Sequence, residues 1–328
     1  MEYMTLSNGV KLSIGLLLSL SVVGCSAAGQ TETNPPQSEK KAQTEAAVTD
    51  IALSGKVGVF DIDHDRVRLN SGYDMPLVGV GTWAISDKEA EESTYQALST
   101  GMRLIDTAVV YGNEAGVGRG IKRSGVPREE IFVTTKLWTP DYAHAEESID
   151  QCLKRLDIDY IDLLLLHYPG PNDEKAYKDM EKALKSGKVR SIGLSNFYED
   201  DFDRIMKIAE IMPAVNQLET HLHHQNEAMK EHMNPYGTVL ESWFPFGGRD
   251  KKKEMFAEPL VQKMAAEHRK SPAQIILRWH LQAGHVVMPG STNPAHIQEN
   301  YDIFNFSLSN EEMQELGRLE RNALYGGY

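Results

Sequence analysis

Short apolar segments alternate with amphipathic helical stretches from about residue 66 to the end of the chain. The segments at Ile161 and Val189 are nearly continuous apolar runs, as expected of parallel strands covered on both faces. Eight segments begin near Leu77, Leu104, Ile131, Ile161, Val189, Ala214, Thr238 and His285. Eight strand–helix units predict a closed (β/α)8 TIM barrel, whose functional site lies at the C-terminal ends of the strands.

Two further elements flank the predicted barrel. A turn sequence within residues 66–76 predicts a β-hairpin that closes the bottom of the barrel, and residues 310–321 predict an amphipathic helix near the C-terminus. A length of 328 residues is normal for such a barrel with an appendage. We therefore expect residues 56–328 to form the barrel domain.

The N-terminus carries a different pattern. Residues 12–23 are apolar or small, which is too short for a membrane span of about 20 residues but typical of a signal peptide. The run ends in Val22-Val23-Gly24-Cys25, which resembles a bacterial lipobox and predicts lipidation of Cys25. We expect a signal peptide at 1–24, a flexible polar tether at 25–55, and a lipid anchor on the extracytoplasmic side of the cell membrane. The alternatives are a buried core helix, or a leader that is never processed in a cytoplasmic enzyme.

Charge and cysteine content narrow the function classes. The net charge of −13 argues against binding of nucleic acid backbones, although a small anionic ligand at a local basic site remains possible. The two cysteines, Cys25 and Cys152, do not predict a disulfide framework. No zinc-binding spacing of cysteine and histidine occurs, and we expect no metal.

Polar side chains stand at three successive predicted strand ends. Asp106 ends one strand and Tyr111 follows five residues later; Lys136 and His167 end the next two strands. A cation beside a phenol makes the phenol a better acid, and a histidine can orient a substrate oxygen. Taken alone, Lys136 could be an ordinary surface lysine and His167 an ordinary core histidine. Together, the four residues predict a catalytic site.

With these residues in context, the chain resembles the aldo-keto reductases over about residues 66–325. The matching motifs are Gly81-Thr82-Trp83, Asp106-Thr107-Ala108 with Tyr111, Lys136-Leu137-Trp138, His167-Tyr168-Pro169, Gly193-Leu194-Ser195-Asn196-Phe197 and Asn216-Gln217. The resemblance implies a barrel that binds nicotinamide cofactors without a Rossmann domain. Gly116-Val117-Gly118 does not complete a Rossmann motif, because Ile121 stands at the third glycine position, and helix packing is the expected reason for these glycines.

The resemblance also implies the binding residues. Ser195, Asn196 and Gln217 would hold the nicotinamide carboxamide, and Trp243 would stack under the ring. The remaining cofactor contacts would be Gly81, Thr82, Phe244, Phe246, Ser291, His296, Glu299 and Asn300, and the substrate pocket would be lined by Trp83, Trp138, His167 and Tyr168. Gly290 and His296 stand where many relatives carry lysine and arginine, which weakens the electrostatic preference for NADP. We expect NADP(H) to be favoured, with NAD(H) possible.

The function implied is reduction of small or sugar-like aldehydes and ketones, with Tyr111 as general acid, Lys136 and Asp106 tuning it, and His167 orienting the carbonyl. The alternative is a cofactor-binding but weakly catalytic accessory or sensor lipoprotein. We expect a monomer or weak dimer. The cluster His221-Leu222-His223-His224 resembles a metal site, but loop and packing roles are favoured. Lys251-Lys252-Lys253 is interpreted as a solvated turn, with a cofactor clasp as the alternative.

Overall fold

The computed structural model describes residues 57–326, so the predicted signal peptide, Cys25 and the tether lie outside the described residues. The described chain opens with an antiparallel sheet of β1 (Phe60–Asp61), β2 (Arg66–Arg68) and β3 (Asp74–Met75). The Asn70 side-chain amide, in the turn between β2 and β3, donates to the Pro213 and Tyr236 carbonyls at 3.0 and 3.1 Å. Both acceptors precede barrel strands, so the hairpin covers the N-terminal end of the barrel, as predicted.

Eight parallel strands follow, and each is hydrogen-bonded to the next along the chain. The sheet closes because the Val287 N–H donates to the Leu77 carbonyl at 2.9 Å and Val78 pairs with Val287. The predicted (β/α)8 TIM barrel is therefore confirmed. The strands are β4 (Gly79–Gly81), β5 (Leu104–Asp106), β6 (Phe132–Leu137), β7 (Ile161–Leu166), β8 (Val189–Ser195), β9 (Val215–Glu219), β10 (Val239–Trp243) and β11 (His285–Val287).

Helices surround the barrel, and three of them begin with a capping box in which a serine and a residue three positions later bond each other's backbone N–H. The helices are α1 (Asp87–Thr100), α2 (Glu114–Ser124), α3 (Ala145–Leu156), α4 (Asp173–Lys185), α5 (Glu199–Met206), α6 (Glu227–Met233), α7 (Gly248–Phe256), α8 (Pro259–His268), α9 (Pro272–Gln282), α10 (Pro294–Tyr301) and α11 (Asn310–Gly317). None of those found in residues 57–326 has the length and apolar character that crossing a membrane requires.

One face of α3 is apolar and packs inward, since Ile149, Cys152 and Leu156 are fully buried. The glycines of α2 also serve packing. A Cβ on Gly116 would lie 1.9 Å from the Asp87 carbonyl oxygen, and one on Gly118 would lie 2.1 Å from the Leu156 carbonyl oxygen. Only glycine allows the neighbouring helices to approach α2 this closely.

Two predictions about local structure are wrong. Lys251-Lys252-Lys253 is not a turn, because these residues lie within α7. The last helix ends at Gly317 rather than near residue 321, and the following segment turns back to the barrel. There the Arg321 and Ala323 N–H groups donate to the His223 carbonyl, at 3.1 and 3.0 Å. Contacts with the barrel, which local sequence does not encode, set the course of this segment.

Candidate active site

A buried ion pair forms the centre of the site. The Lys136 ammonium, fully buried at the end of β6, lies 2.6 and 2.7 Å from the two carboxylate oxygens of Asp106 on β5. It also donates to the Thr107 carbonyl at 3.0 Å, and its nitrogen lies 3.5 Å from the Tyr111 hydroxyl oxygen. The structure therefore brings the predicted phenol, cation and carboxylate together in one hydrogen-bonded group.

His167 follows β7 and lies beside this group. Its ring centroid is 5.7 Å from that of Tyr111, 5.4 Å from that of Trp138, and 4.9 Å from that of Tyr168, on which it stacks. Burial, and to a smaller extent the positive charge of Lys136, lowers the pKa of His167 from 6.5 to about 2. The imidazole is therefore neutral at neutral pH, so it can hydrogen-bond an oxygen but is not a store of an acidic proton.

Asp106, Tyr111 and His167 line a cavity of about 620 Å³, within the size range of small-molecule and cofactor sites. One part of its wall is aromatic and another is formed by the segment between β11 and α10. The predicted site residues that line it are Gly81, Trp83, Asp106, Tyr111, Trp138, His167, Tyr168, Ser195, Asn196, Gln217, Trp243, Phe244, Phe246, Ser291 and His296. Most of the predicted cofactor and substrate residues thus share one cavity, although their individual roles stay predictions.

Four predicted site residues do not line this cavity: the fully buried Lys136 and three residues assigned to the cofactor. The Thr82 side chain is fully buried in the barrel, where its hydroxyl donates to the Asp106 carbonyl at 3.0 Å. Glu299 and Asn300 lie on α10 outside the lining set, Glu299 half-buried and Asn300 buried. Thr82 supports the strand that carries Asp106, and the cofactor contacts assigned to all three residues stay predictions.

Side-chain amides organise the cavity floor. Asn196 donates to the His167 carbonyl and to the Ser195 hydroxyl oxygen, each at 3.0 Å. Its own carbonyl oxygen accepts from the Trp243 indole N–H, also at 3.0 Å. Asn196 adopts a left-handed backbone conformation with φ 63°, which asparagine tolerates better than most residues. This network fixes the indole of Trp243 relative to His167.

Glu241 on β10 is a site residue that sequence reasoning missed. Its side chain is fully buried. Burial raises the pKa of Glu241 most, and the negative charge of Asp106 raises it further. The Gln217 amide nitrogen donates to Glu241 and to Asp106, at 2.9 Å each. Both amide hydrogens are therefore used, which leaves the Gln217 carbonyl oxygen for a ligand. A glutamate inside an apolar strand, two residues before Trp243, was the available sequence signal.

Strain is concentrated beside Trp243. Phe244 has φ 54°, an unusual value for a bulky residue. Its ring packs edge-on against Trp83 at 5.3 Å and Trp243 at 4.8 Å. A Cβ on Gly248 would lie 2.7 Å from this ring, so glycine makes room for it. Strained backbone of this kind is common at functional sites, where surrounding packing holds it in place.

Two cations of α7 also line the cavity, and one of them, Lys252, belongs to the segment that the sequence indicates as a turn. On α7, Arg249 and Lys252 form part of the cavity wall, whereas Lys251 and Lys253 do not. The position of each residue around the helix decides whether its side chain reaches the cavity. The helical periodicity of residues 248–256 was the sequence signal that could have predicted which cations do so.

The histidine cluster fastens the C-terminal segment to the barrel rim. The His221 ring stacks on Tyr325 at 4.8 Å, and His223 Nδ1 lies 2.8 Å from the Tyr325 hydroxyl oxygen. The Glu219 carboxylate accepts the N–H groups of Tyr325 and Gly326, at 2.6 and 2.9 Å. These contacts support the packing interpretation. In the part of the chain that the structure describes, no group of three or more potential metal ligands is arranged around a common point.

A model of the aldo/keto reductase family matches residues 77–321. The chain belongs to this family. It is 40% identical over 274 residues to morphine 6-dehydrogenase of Pseudomonas putida, covering 79% of this chain and 93% of that protein. It is 40% identical over 266 residues to glyoxal reductase of Bacillus subtilis (strain 168), covering 80% of this chain and 95% of that protein.

A solved structure agrees with these relatives. The crystal structure of Bombyx mori aldo-keto reductase in complex with NADP has a TM-score of 0.74 and 33% identity, covering 79% of this chain and 93% of that one. As a family member, the chain is an NAD(P)H-dependent oxidoreductase that reduces aldehydes or ketones to alcohols. These relatives give no support to the accessory or sensor lipoprotein alternative.

Proposed function

We propose that Tyr111 is the general acid of this reductase, with Lys136, Asp106 and His167 as its partners. The observation that carries the proposal is the 3.5 Å approach of the Lys136 ammonium to the Tyr111 hydroxyl oxygen at the wall of the cavity. A positive charge at this distance stabilises the phenolate that remains after the proton has left. The neutral His167 is poorly suited to supply that proton, which favours the phenol.

Asp106 has a separate role in this proposal. Its two oxygens accept from Lys136 at 2.6 and 2.7 Å, so the carboxylate keeps the buried lysine charged and holds it in contact with Tyr111. His167 would donate a hydrogen bond to the carbonyl oxygen and so orient the substrate. The aromatic side chains of Trp83, Trp138 and Tyr168 would enclose the substrate and exclude water.

The residues of the cavity fit a nicotinamide cofactor. A carboxamide needs both donors and acceptors, and the free carbonyl oxygen of Gln217 together with Ser195 and Asn196 offers both. The indole of Trp243 provides a flat apolar surface for the ring. When bound, the reduced nicotinamide supplies a hydrogen with two electrons to the carbonyl carbon, while Tyr111 supplies the proton to the carbonyl oxygen.

We further propose that NADP(H) is favoured and NAD(H) is usable. Gly81, Phe244, Phe246, Ser291 and His296 line the cavity and are the proposed additional contacts. We propose weaker or indirect cofactor contacts for three residues that do not line the cavity, Thr82, Glu299 and Asn300. Gly290 and His296 replace the lysine and arginine that many relatives carry. Since no fixed cation stands at these positions, the sequence supports use of both cofactors.

For the substrate, we propose small aldehydes and ketones, including sugar-like carbonyls and glyoxal, the compound in the name of the Bacillus subtilis relative. The test is oxidation of NADPH and of NADH by the purified chain with glyoxal, methylglyoxal, glyceraldehyde and xylose. We expect turnover with several of these and a lower KM for NADPH. Cofactor binding without turnover on any carbonyl would instead support the accessory or sensor role.

We also propose that residues 1–24 are a signal peptide, residues 25–55 a tether, and residues 56–328 the catalytic domain, as a monomer or weak dimer. The lipobox-like Val22-Val23-Gly24-Cys25 supports a lipid anchor at Cys25 on the extracytoplasmic side of the membrane. The mass of the mature N-terminus tests this directly. A lipidated Cys25 supports it, whereas an intact Met1 supports an unprocessed cytoplasmic enzyme.

A further inference from the structure

Glu241 stands in the middle of β10, and its side chain lies inside the barrel beside the site. The strand pairs in parallel with β9, where Gln217 is the register partner of Glu241. Trp243, two residues later on β10, lines the cavity, and side chains two positions apart in a strand point to the same side. Glu241 does not line the cavity itself, so its effect on a ligand must pass through a neighbour.

The Glu241 carboxyl group is poorly satisfied for a fully buried side chain. Within residues 57–326, its Oε1 atom has no hydrogen-bond partner, and its Oε2 atom accepts one side-chain hydrogen bond, from the Gln217 amide at 2.9 Å. Burying a carboxyl group with so few partners costs stability. A gain in stability therefore does not explain this carboxyl group, and its one side-chain contact is with a residue of the cavity wall.

Two carboxyl groups hold the Gln217 side-chain amide through its nitrogen. The nitrogen donates to Asp106 Oδ2 and to Glu241 Oε2, each at 2.9 Å. A single hydrogen bond would leave the amide able to turn about that bond, whereas two fix its plane. Exchanging the amide oxygen and nitrogen would place the oxygen against two acceptors, which disfavours that orientation. The oxygen of Gln217 is thereby kept for a ligand of the cavity.

The contact does not require an ionised Glu241. Burial, followed by the negative charge of Asp106, raises the pKa of Glu241, so this carboxyl group is protonated more readily than an exposed one. A protonated carboxyl group still accepts through its carbonyl oxygen. The property that matters is therefore an acceptor at a fixed place, which a glutamine side chain would also supply.

We propose that Glu241 is a positioning residue for the nicotinamide carboxamide and acts through Gln217. It keeps the Gln217 nitrogen turned toward the two carboxyl groups, so that the Gln217 oxygen accepts a hydrogen bond from the carboxamide nitrogen. The inference rests on the proposed cofactor use, and it adds a residue outside the cavity wall to the recognition of the nicotinamide. Without Glu241, the carboxamide would meet an amide held by Asp106 alone.

The test is a titration of protein fluorescence in the full chain with NADP and with its acetylpyridine analogue, so that binding is measured without turnover. NAD and its analogue replace them if NAD binds more tightly. The analogue carries a methyl ketone in place of the carboxamide, so it cannot donate a hydrogen bond to Gln217. Glu241→Leu and Glu241→Met remove the acceptor and keep an apolar side chain of similar size, whereas Glu241→Gln keeps an acceptor. Ser242→Ala is the matched control, because its buried hydroxyl oxygen, on the same strand, lies 3.3 Å from His280 Nδ1 and not at the cavity.

We expect Glu241→Leu and Glu241→Met to weaken NADP binding about fivefold to tenfold, as for loss of one hydrogen bond. Their affinity for the analogue should stay within about twofold of that of the unaltered chain, which also shows that the variants are folded. Glu241→Gln and Ser242→Ala should bind NADP nearly as the unaltered chain does.

The inference is overturned if Glu241→Leu and Glu241→Met bind NADP like Ser242→Ala, or if they lose affinity for NADP and for the analogue equally. The second result would mean that Glu241 maintains the shape of the cavity and not the orientation of Gln217. Binding of NADP by Glu241→Gln that is as weak as binding by Glu241→Met would also contradict the inference, because an acceptor alone would then not suffice. If the unaltered chain binds neither NADP nor NAD, the proposed cofactor use fails as well, so the two failures are distinguishable.

Discussion

Replacing Asp106 with asparagine tests the buried ion pair at the centre of the site. The Lys136 ammonium is fully buried, and two of its hydrogen bonds, at 2.6 and 2.7 Å, go to Asp106. Asparagine keeps the shape but offers one acceptor and no negative charge. The Thr107 carbonyl would then be the remaining strong acceptor. Leaving a buried charge without its partner costs about 3–5 kcal/mol, against a total stability of about 5–15 kcal/mol.

The assay is urea unfolding of the cofactor-free protein at neutral pH, followed by circular dichroism. Glu146→Gln is the matched control, because it removes the partner of Lys182 at 2.7 Å from a pair whose side chains are 63% and 64% exposed. The control should lose less than about 1 kcal/mol. Combining Asp106→Asn with Lys136→Met should cost less than the sum of the single variants, since no buried charge is then stranded. An Asp106→Asn variant as stable as Glu146→Gln would refute this reasoning.

Three other outcomes are expected. Gly118→Ala should cost about 1–3 kcal/mol in urea unfolding, because the added Cβ meets the Leu156 carbonyl oxygen at 2.1 Å; an unchanged midpoint would contradict the close approach. Burial lowers the pKa of His280 from 6.5 to about 3 and that of His285 well below 6.5, so the unfolded chain takes up protons that the folded chain does not. Stability should therefore fall as pH drops below 6.5, by up to about 1.4 kcal/mol per pH unit for each histidine, and His280→Gln should flatten this slope. Trp138→Ala should raise the KM for carbonyl substrates while leaving the cofactor Kd nearly unchanged, and an equal rise in both would argue against a substrate-side position.

The sequence predicted the barrel well because burial on both faces leaves a strong local signal. The apolar runs at Ile161 and Val189 begin at the first residues of β7 and β8. Polar residues at strand ends were equally informative, since parallel strands deliver their C-terminal ends to one rim. Asp106, Lys136 and His167 could therefore be grouped before any coordinates were known.

The remaining features depend on tertiary contacts that local sequence does not encode. The lysine-rich segment was interpreted as a turn because its charges suggested full solvation, yet it forms α7 and directs Lys252 to the cavity. Glu241 was missed because a single carboxylate in a strand does not reveal its neighbours. The Thr82 hydroxyl donates to the Asp106 carbonyl inside the barrel, a contact between two strands that local sequence does not encode.

The rate of carbonyl reduction by Tyr111→Phe tests the central claim most directly. Phenylalanine keeps the ring beside His167 and removes only the hydroxyl that lies 3.5 Å from Lys136. We predict that kcat with methylglyoxal falls by about 10²–10⁴-fold, the usual contribution of a general acid, while NADPH binding by fluorescence titration stays within about twofold. Turnover near that of the unaltered protein, with cofactor binding intact, would contradict the assignment of Tyr111 as the proton donor.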